Sequence, residues 1–112
     1  MAIANKAFKD YVFLADMLSD KYFPSDLVRK GQQVLIRLCE TMEAERPVDL
    51  ESLYKITQSA TEEFNVLAEE FEANGSEIET AARESIGADF EFIAKAYGFD
   101  ADLEELISNR EW

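Results

Sequence analysis

Apolar residues in the stretch Ser76–Phe99 recur at steps of four and three: Ile78, Ala82, Ile86, Phe90, Ile93 and Tyr97. That spacing lines one face of a helix. Ser76 with Glu79 three residues on reads as a capping box at its start, and Gly98 stands where a helix stops in the left-handed conformation. Gly87 interrupts the pattern and Asp89 could cap a restarted helix, but the apolar phase carries through, which favours one helix, bent or straight.

The same periodicity predicts three earlier elements. The first covers residues 3–19, with Ile3, Ala7, Tyr11, Leu14 and Leu18 in one stripe and Phe8, Val12 and Ala15 widening it. Pro24 closes that stretch, since it disfavours helical geometry in Phe23 and lacks an N–H to donate. The second runs from Pro24 or Ser25 to Glu45, with Ser25 or Asp26 as its cap and Leu27, Val34, Leu35, Leu38 and Met42 inward. Gly31 lies inside it at a cost of about 1 kcal/mol relative to Ala, which a close approach by another helix would explain, a functional hinge being the alternative. The third starts after Asp49 and reaches Ala73 or Asn74, about 36 Å of helix. Asn74-Gly75 then turns the chain, so the third and fourth helices are expected to form an antiparallel hairpin. Asp100 can cap a short last helix over 101–108, and Trp112 is expected to pack back on the bundle.

These elements predict an all-α fold: an antiparallel bundle of four main helices with a short C-terminal helix. At 112 residues the chain suits one domain, 1–112, burying roughly two thirds of its unfolded surface. No apolar run reaches the ~20 residues of a membrane span, and the N-terminal stretch lacks an uninterrupted apolar core of the signal-peptide type. The lone Cys39 has no internal disulfide partner, so a cytoplasmic location is the expectation.

Charge divides the chain. Residues 1–48 hold seven basic and seven acidic side chains, whereas residues 49–112 hold four basic and seventeen acidic ones, so the whole net charge of -13 lies in the second half. Such a field repels nucleic acid and anionic membrane surfaces and can steer a basic protein partner. The competing explanation is an acidic surface that only maintains solubility.

With no histidine, Ser–His–Asp and Cys–His machinery and mixed His/Cys zinc sites are excluded. Cys39, beside the apolar face of the second helix, reads as a buried structural thiol. Ferritin-like di-iron sites need histidines that are absent. The Glu-x-x-Glu pairs Glu40–Glu43 and Glu69–Glu72 supply only half of the magnesium pattern of all-α nucleotide pyrophosphatases, because no Glu has an Asp three residues on. The acids of the segment from Asp100 do not make a calcium loop, since Glu105 stands where the sharp turn needs Gly. No metal ligand and no cofactor is assigned.

The runs KYFPSDLV, DLESLY, ATEEFN, SEIETAARESI and DFEFIAKAYGF resemble a family of small proteins known only as a domain of unknown function. The resemblance spans nearly the whole chain, most clearly from Tyr22 to Trp112. It implies a bacterial, cytoplasmic, stand-alone protein, and it implies no activity and no site residues.

The first functional expectation is therefore a non-enzymatic interaction protein docking a basic partner through Glu62, Glu63, Glu69, Glu70, Glu77 and Glu84. One version looks like the small acidic immunity proteins that neutralise basic nuclease toxins, a likeness of size, helical class and charge alone. The alternative is a small-molecule or divalent-metal binding protein with a pocket between the third and fourth helices at Asn65, Arg83 and Glu84. Arg83 could equally serve an inter-helix ion pair. A homodimer through the apolar faces of the first and fourth helices is the third possibility.

Overall fold

The computed structural model describes residues 3–112. Its two longest helices are α2, Ser25–Glu45, and α3, Leu50–Ala73, with the bounds that periodicity predicts. Asp49 caps α3 by accepting the Ser52 amide at 2.8 Å. At the start of α2 the expected side-chain cap is absent. Pro24 occupies the capping position, and its carbonyl accepts the amides of Leu27 and Val28, each at 3.1 Å. The two helices run antiparallel: Lys30 pairs with Glu70, and seven residues on, Arg37 pairs with Glu63 seven residues back. Gly31 admits the expected close approach, although much of it comes from outside α3. A Cβ there would lie 2.8 Å from Leu14 Cδ1 and 3.2 Å from Phe64 Cε1.

The N-terminal segment departs from the expected helix over 3–19. It contains a 3-10 turn, Lys6–Phe8, and then only the short α1, Ala15–Ser19. Between them Leu14 adopts a left-handed conformation, φ 55°, which is sterically unfavourable for a branched residue. The gain is burial. Phe8, Phe13, Leu14 and Met17 all enter the core while Val12 remains 53% exposed, a set that one straight helix could not place on a single face. Tyr11 stacks on Phe92 with centroids 4.1 Å apart, and Phe8 stacks on Tyr97 at 5.8 Å. Tertiary burial and aromatic packing thus override the local helical pattern.

The fourth helix, α4, spans Thr80–Ala96 without a break at Gly87. It begins later than expected because the capping box does not form. Ser76 belongs instead to the end of α3, where its amide donates to the Phe71 carbonyl at 2.9 Å and that of Gly75 (φ 78°) to Glu72 at 3.1 Å. This pair of bonds is the Schellman closure. The same closure ends α4 at Gly98, with Phe99 bonded to Ala94 and Gly98 to Lys95, each at 2.9 Å.

The last helix, α5, is Leu103–Leu106, shorter than expected and capped by Asp102 rather than Asp100. It packs against both α3 and α4, while the most extensive helix packing is that of α2 with α3. The expected α3–α4 hairpin is therefore opened by α5, although Phe64 and Phe90 still meet at 6.0 Å across it. All regular elements among the described residues are helical, so the all-α bundle stands, with three long helices and a short first one. Its centre is apolar: Leu35, Leu53, Ile86 and Ile93 are fully buried, each contributing about 1.5–3 kcal/mol relative to exposure.

Candidate functional site

The fold separates the six glutamates into three groups. Glu63 and Glu70 are already engaged across the α2–α3 pair, with Arg37 at 2.7 Å and Lys30 at 2.6 Å. These exposed pairs contribute little, about 0.2–1 kcal/mol each, but they remove two carboxylates from the free acidic surface. Glu62, Glu69 and Glu77 are exposed, and among the described residues they form no ion pair. Glu84 carries no ion pair among the described residues and lines a concavity on the N-terminal side of the fourth helix.

Asn65, Arg83 and Glu84 do not form a common pocket. Asn65 belongs to a polar stripe on α3 that clasps the C-terminal segment. Tyr54 Oη accepts from the Asp102 amide, Gln58 Nε2 donates to the Glu105 carbonyl at 2.8 Å, and Asn65 Nδ2 donates to the Asn109 carbonyl at 3.1 Å. Asn65 Oδ1 also accepts the Glu111 amide at 2.8 Å, and Trp112 packs back on Phe64 as expected, with centroids 6.1 Å apart. Tyr54, Gln58 and Asn65, with Thr61 between them 3.5 Å from the Leu106 carbonyl, follow one helix face, so the region reserved for a ligand holds the chain's own C-terminal segment. Arg83 forms no ion pair among the described residues, and its buried Nε lacks a hydrogen-bond acceptor. The inter-helix ion pair anticipated for it is absent.

Glu84 lies on the side of α4 that borders the N-terminal segment. There a groove of about 520 Å³ runs between that segment and the Ala81–Asp89 face of α4. Asp10 and Asp16 line one wall and Glu84 and Asp89 the other. Ala15, Ala81 and Ala88 keep the space open, and no lysine or arginine borders it. Asp89 anchors the arrangement. Its buried carboxylate accepts the Tyr11 hydroxyl and the Leu14 amide, the latter at 2.7 Å. Burial pushes its pKa upward against the pull of these two bonds, and the nearby Asp16 charge adds to the rise. Burial, and then the bond to Asp89, keep Tyr11 a neutral phenol by raising its pKa.

Three of the four groove acids, Asp10, Asp16 and Asp89, were not among the sequence candidates. The available signal was Asp89 itself, which lies three residues after Ile86 and four before Ile93, on the apolar phase of α4. A charge in that register marks an inward hydrogen-bonding role rather than a cap.

Other chemistry is sparse. Cys39 is buried, and burial raises its thiol pKa to about 12, so it is not a nucleophile at neutral pH. Among the described residues no group of three or more His, Cys, Asp or Glu side chains is disposed to hold a metal ion. No helix there is long and apolar enough to cross a membrane. In comparisons with known proteins, residues 7–112 match the model of a family of unknown function, DUF5713. No curated protein and no solved structure matches.

Proposed function

For this chain, which belongs to the DUF5713 family of unknown function, we propose a non-enzymatic role in the bacterial cytoplasm: docking a basic segment of a partner protein in the groove between the N-terminal segment and α4. The observation that carries this reading is the convergence of Asp10, Asp16, Glu84 and Asp89 on one concavity with no cation in its lining. Lys and Arg side chains can lay their aliphatic stems along Ala15, Ala81 and Ala88 while their charged ends reach the exposed carboxylates of Asp10, Asp16 and Glu84. The buried Asp89, occupied by Tyr11 and Leu14, holds the walls together. The net charge of -13 extends the attraction beyond contact distance and accelerates encounter. Glu62, Glu69 and Glu77 contribute to that field rather than to the docking contact. An immunity-type protein that neutralises a basic nuclease is one member of this functional class.

The reading is tested by affinity capture with two baits, the wild-type protein and the double variant Asp16→Lys/Glu84→Lys. Both positions are exposed, so the variant keeps the core intact. A basic protein held by wild type at low salt, released at high salt and absent from the variant is the expected result. A Glu62→Lys/Glu69→Lys bait should retain it. Identical captures by wild type and the groove variant would remove the groove from the function.

A further inference from the structure

A second concavity lies at the far end of α2, where the N-terminal segment, the α2–α3 loop and the end of α4 meet. It is an open depression of about 490 Å³, with Met42, Pro47, Tyr97 and Phe99 as largely apolar walls and Glu43 and Arg46 as its charged groups. A cavity of this size, mostly apolar with a few placed polar groups, has the character of a small-molecule site.

The two charges are in opposite situations. Glu43 is fully occupied: its carboxylate accepts the amides of Ala4 and Asn5, each at 3.0 Å, and the Tyr97 hydroxyl at 2.6 Å. Asn5 in turn donates to the Ala96 carbonyl at 2.8 Å. The walls are thus held in place by a closed network, the arrangement that preorganises a binding site. Arg46, by contrast, forms no ion pair among the described residues. It also ends α2 in the left-handed conformation, φ 48° and ψ 64°, at a position where Gly or Asn is the ordinary occupant. Arg46 is exposed at the rim of this depression, so its charge is open to a ligand, and backbone strain of this kind collects at functional positions.

We infer that this cavity binds a small organic monoanion with an apolar body. Its carboxylate would lie against the Arg46 guanidinium in a two-point pairing, and its hydrocarbon or aromatic part would lie among Met42, Pro47, Tyr97 and Phe99. The inference is independent of the acidic groove, whose lining shares no residue with this cavity.

The probes are benzoate and hexanoate, with benzyl alcohol as the uncharged control, followed by NMR shift mapping and thermal melting at matched ionic strength. The expected result is saturable benzoate shifts at Ala4, Met42, Tyr97 and Phe99, a raised melting temperature, and binding of the alcohol at least tenfold weaker. Arg46→Gly relieves the strained conformation, so it should melt at a higher temperature without ligand and yet lose the benzoate shifts. Arg46→Lys should retain part of them. Asp16→Lys/Glu84→Lys, which alters only the groove, should bind benzoate as wild type does. Absence of saturable shifts at these residues in the millimolar range, or equal benzoate binding by wild type and Arg46→Gly, would overturn the assignment.

Discussion

Asp89 and Leu14 stand 75 residues apart in the chain, and the Asp89 carboxylate accepts the Leu14 amide at 2.7 Å. Leu14 is the left-handed residue that begins α1, so one buried side chain of α4 fixes the irregular entry of the N-terminal segment. Tyr11 donates to the same carboxylate. Asp89→Ala would leave both donors unpaired, and about 2–3 kcal/mol of stability should be lost. Tyr11→Phe removes one donor together with its need for a partner and should cost about 1 kcal/mol. Urea denaturation with matched slopes separates the two. Equal, small losses in both variants would mean that the N-terminal segment is held by apolar packing alone.

The two glycines inside helices should respond to alanine with opposite signs. At Gly31 the added methyl would lie 2.8 Å from Leu14 Cδ1 and 3.2 Å from Phe64 Cε1. Both neighbours are buried, so the overpacking penalty of about 1–3 kcal/mol should exceed the ~1 kcal/mol gain in helix propensity. At Gly87 the nearest atom is Leu103 Cδ2 at 3.5 Å, an ordinary contact. Gly87→Ala should therefore stabilise by up to about 1 kcal/mol. Thermal melting of the two variants is the check.

These examples also divide what is legible in a sequence from what is not. α2, α3 and the end of α4 follow from local rules: a 3.6-residue apolar period, Asp49 as a cap, and Gly75 and Gly98 as stops. Those signals act within a few residues and survive folding. The N-terminal segment carried an equally good helical stripe, yet its conformation is decided by Asp89 and by aromatic partners such as Phe92 and Tyr97. Ser76 and Glu79 had the spacing of a capping box, but closure of α3 claimed the Ser76 backbone first. The acidic groove was invisible to charge counted by halves, because the fold brings Asp10 and Asp16 of the balanced half to Glu84 and Asp89 of the acidic one.

Asn65 is the last member of the stripe that clasps the C-terminal segment, bonding both the Asn109 carbonyl and the Glu111 amide. Asn65→Ala should lower stability by about 1 kcal/mol, since both partners lie near solvent and can turn to water. The loss should be local. Exchange of the Glu111 amide should accelerate and Trp112 fluorescence should shift to longer wavelength, while amides of the buried α2–α3 pair keep their protection. Were Asn65 instead part of a ligand site, the substitution would leave Trp112 fluorescence unchanged.

Glu43 gives the pH dependence a definite sign. The Tyr97 hydroxyl and then the Ala4 amide hold its pKa below the ordinary value of 4.5. A depressed folded-state pKa means that the unfolded chain takes up the proton first. Stability from this group is therefore complete above the unfolded value and declines as pH falls through the depressed one. The carboxylate is half-buried and open to water on one side, so the size of the effect should be modest, about 0.5–1 kcal/mol after screening. Glu43→Gln keeps the shape and one acceptor oxygen but cannot ionise. Its deficit relative to wild type should be constant from neutral pH down to about the ordinary glutamate range and should narrow below it. Asp89 acts with the opposite sign, because burial raises its pKa. Its favourable contribution is fullest below the ordinary aspartate range and diminishes as pH rises through the raised value, so Asp89→Asn should compare better with wild type at neutral pH than in acid. Denaturation midpoints of the two variants against pH should move in opposite directions relative to wild type, and a common direction would show that one of the two carboxylates is held differently in solution.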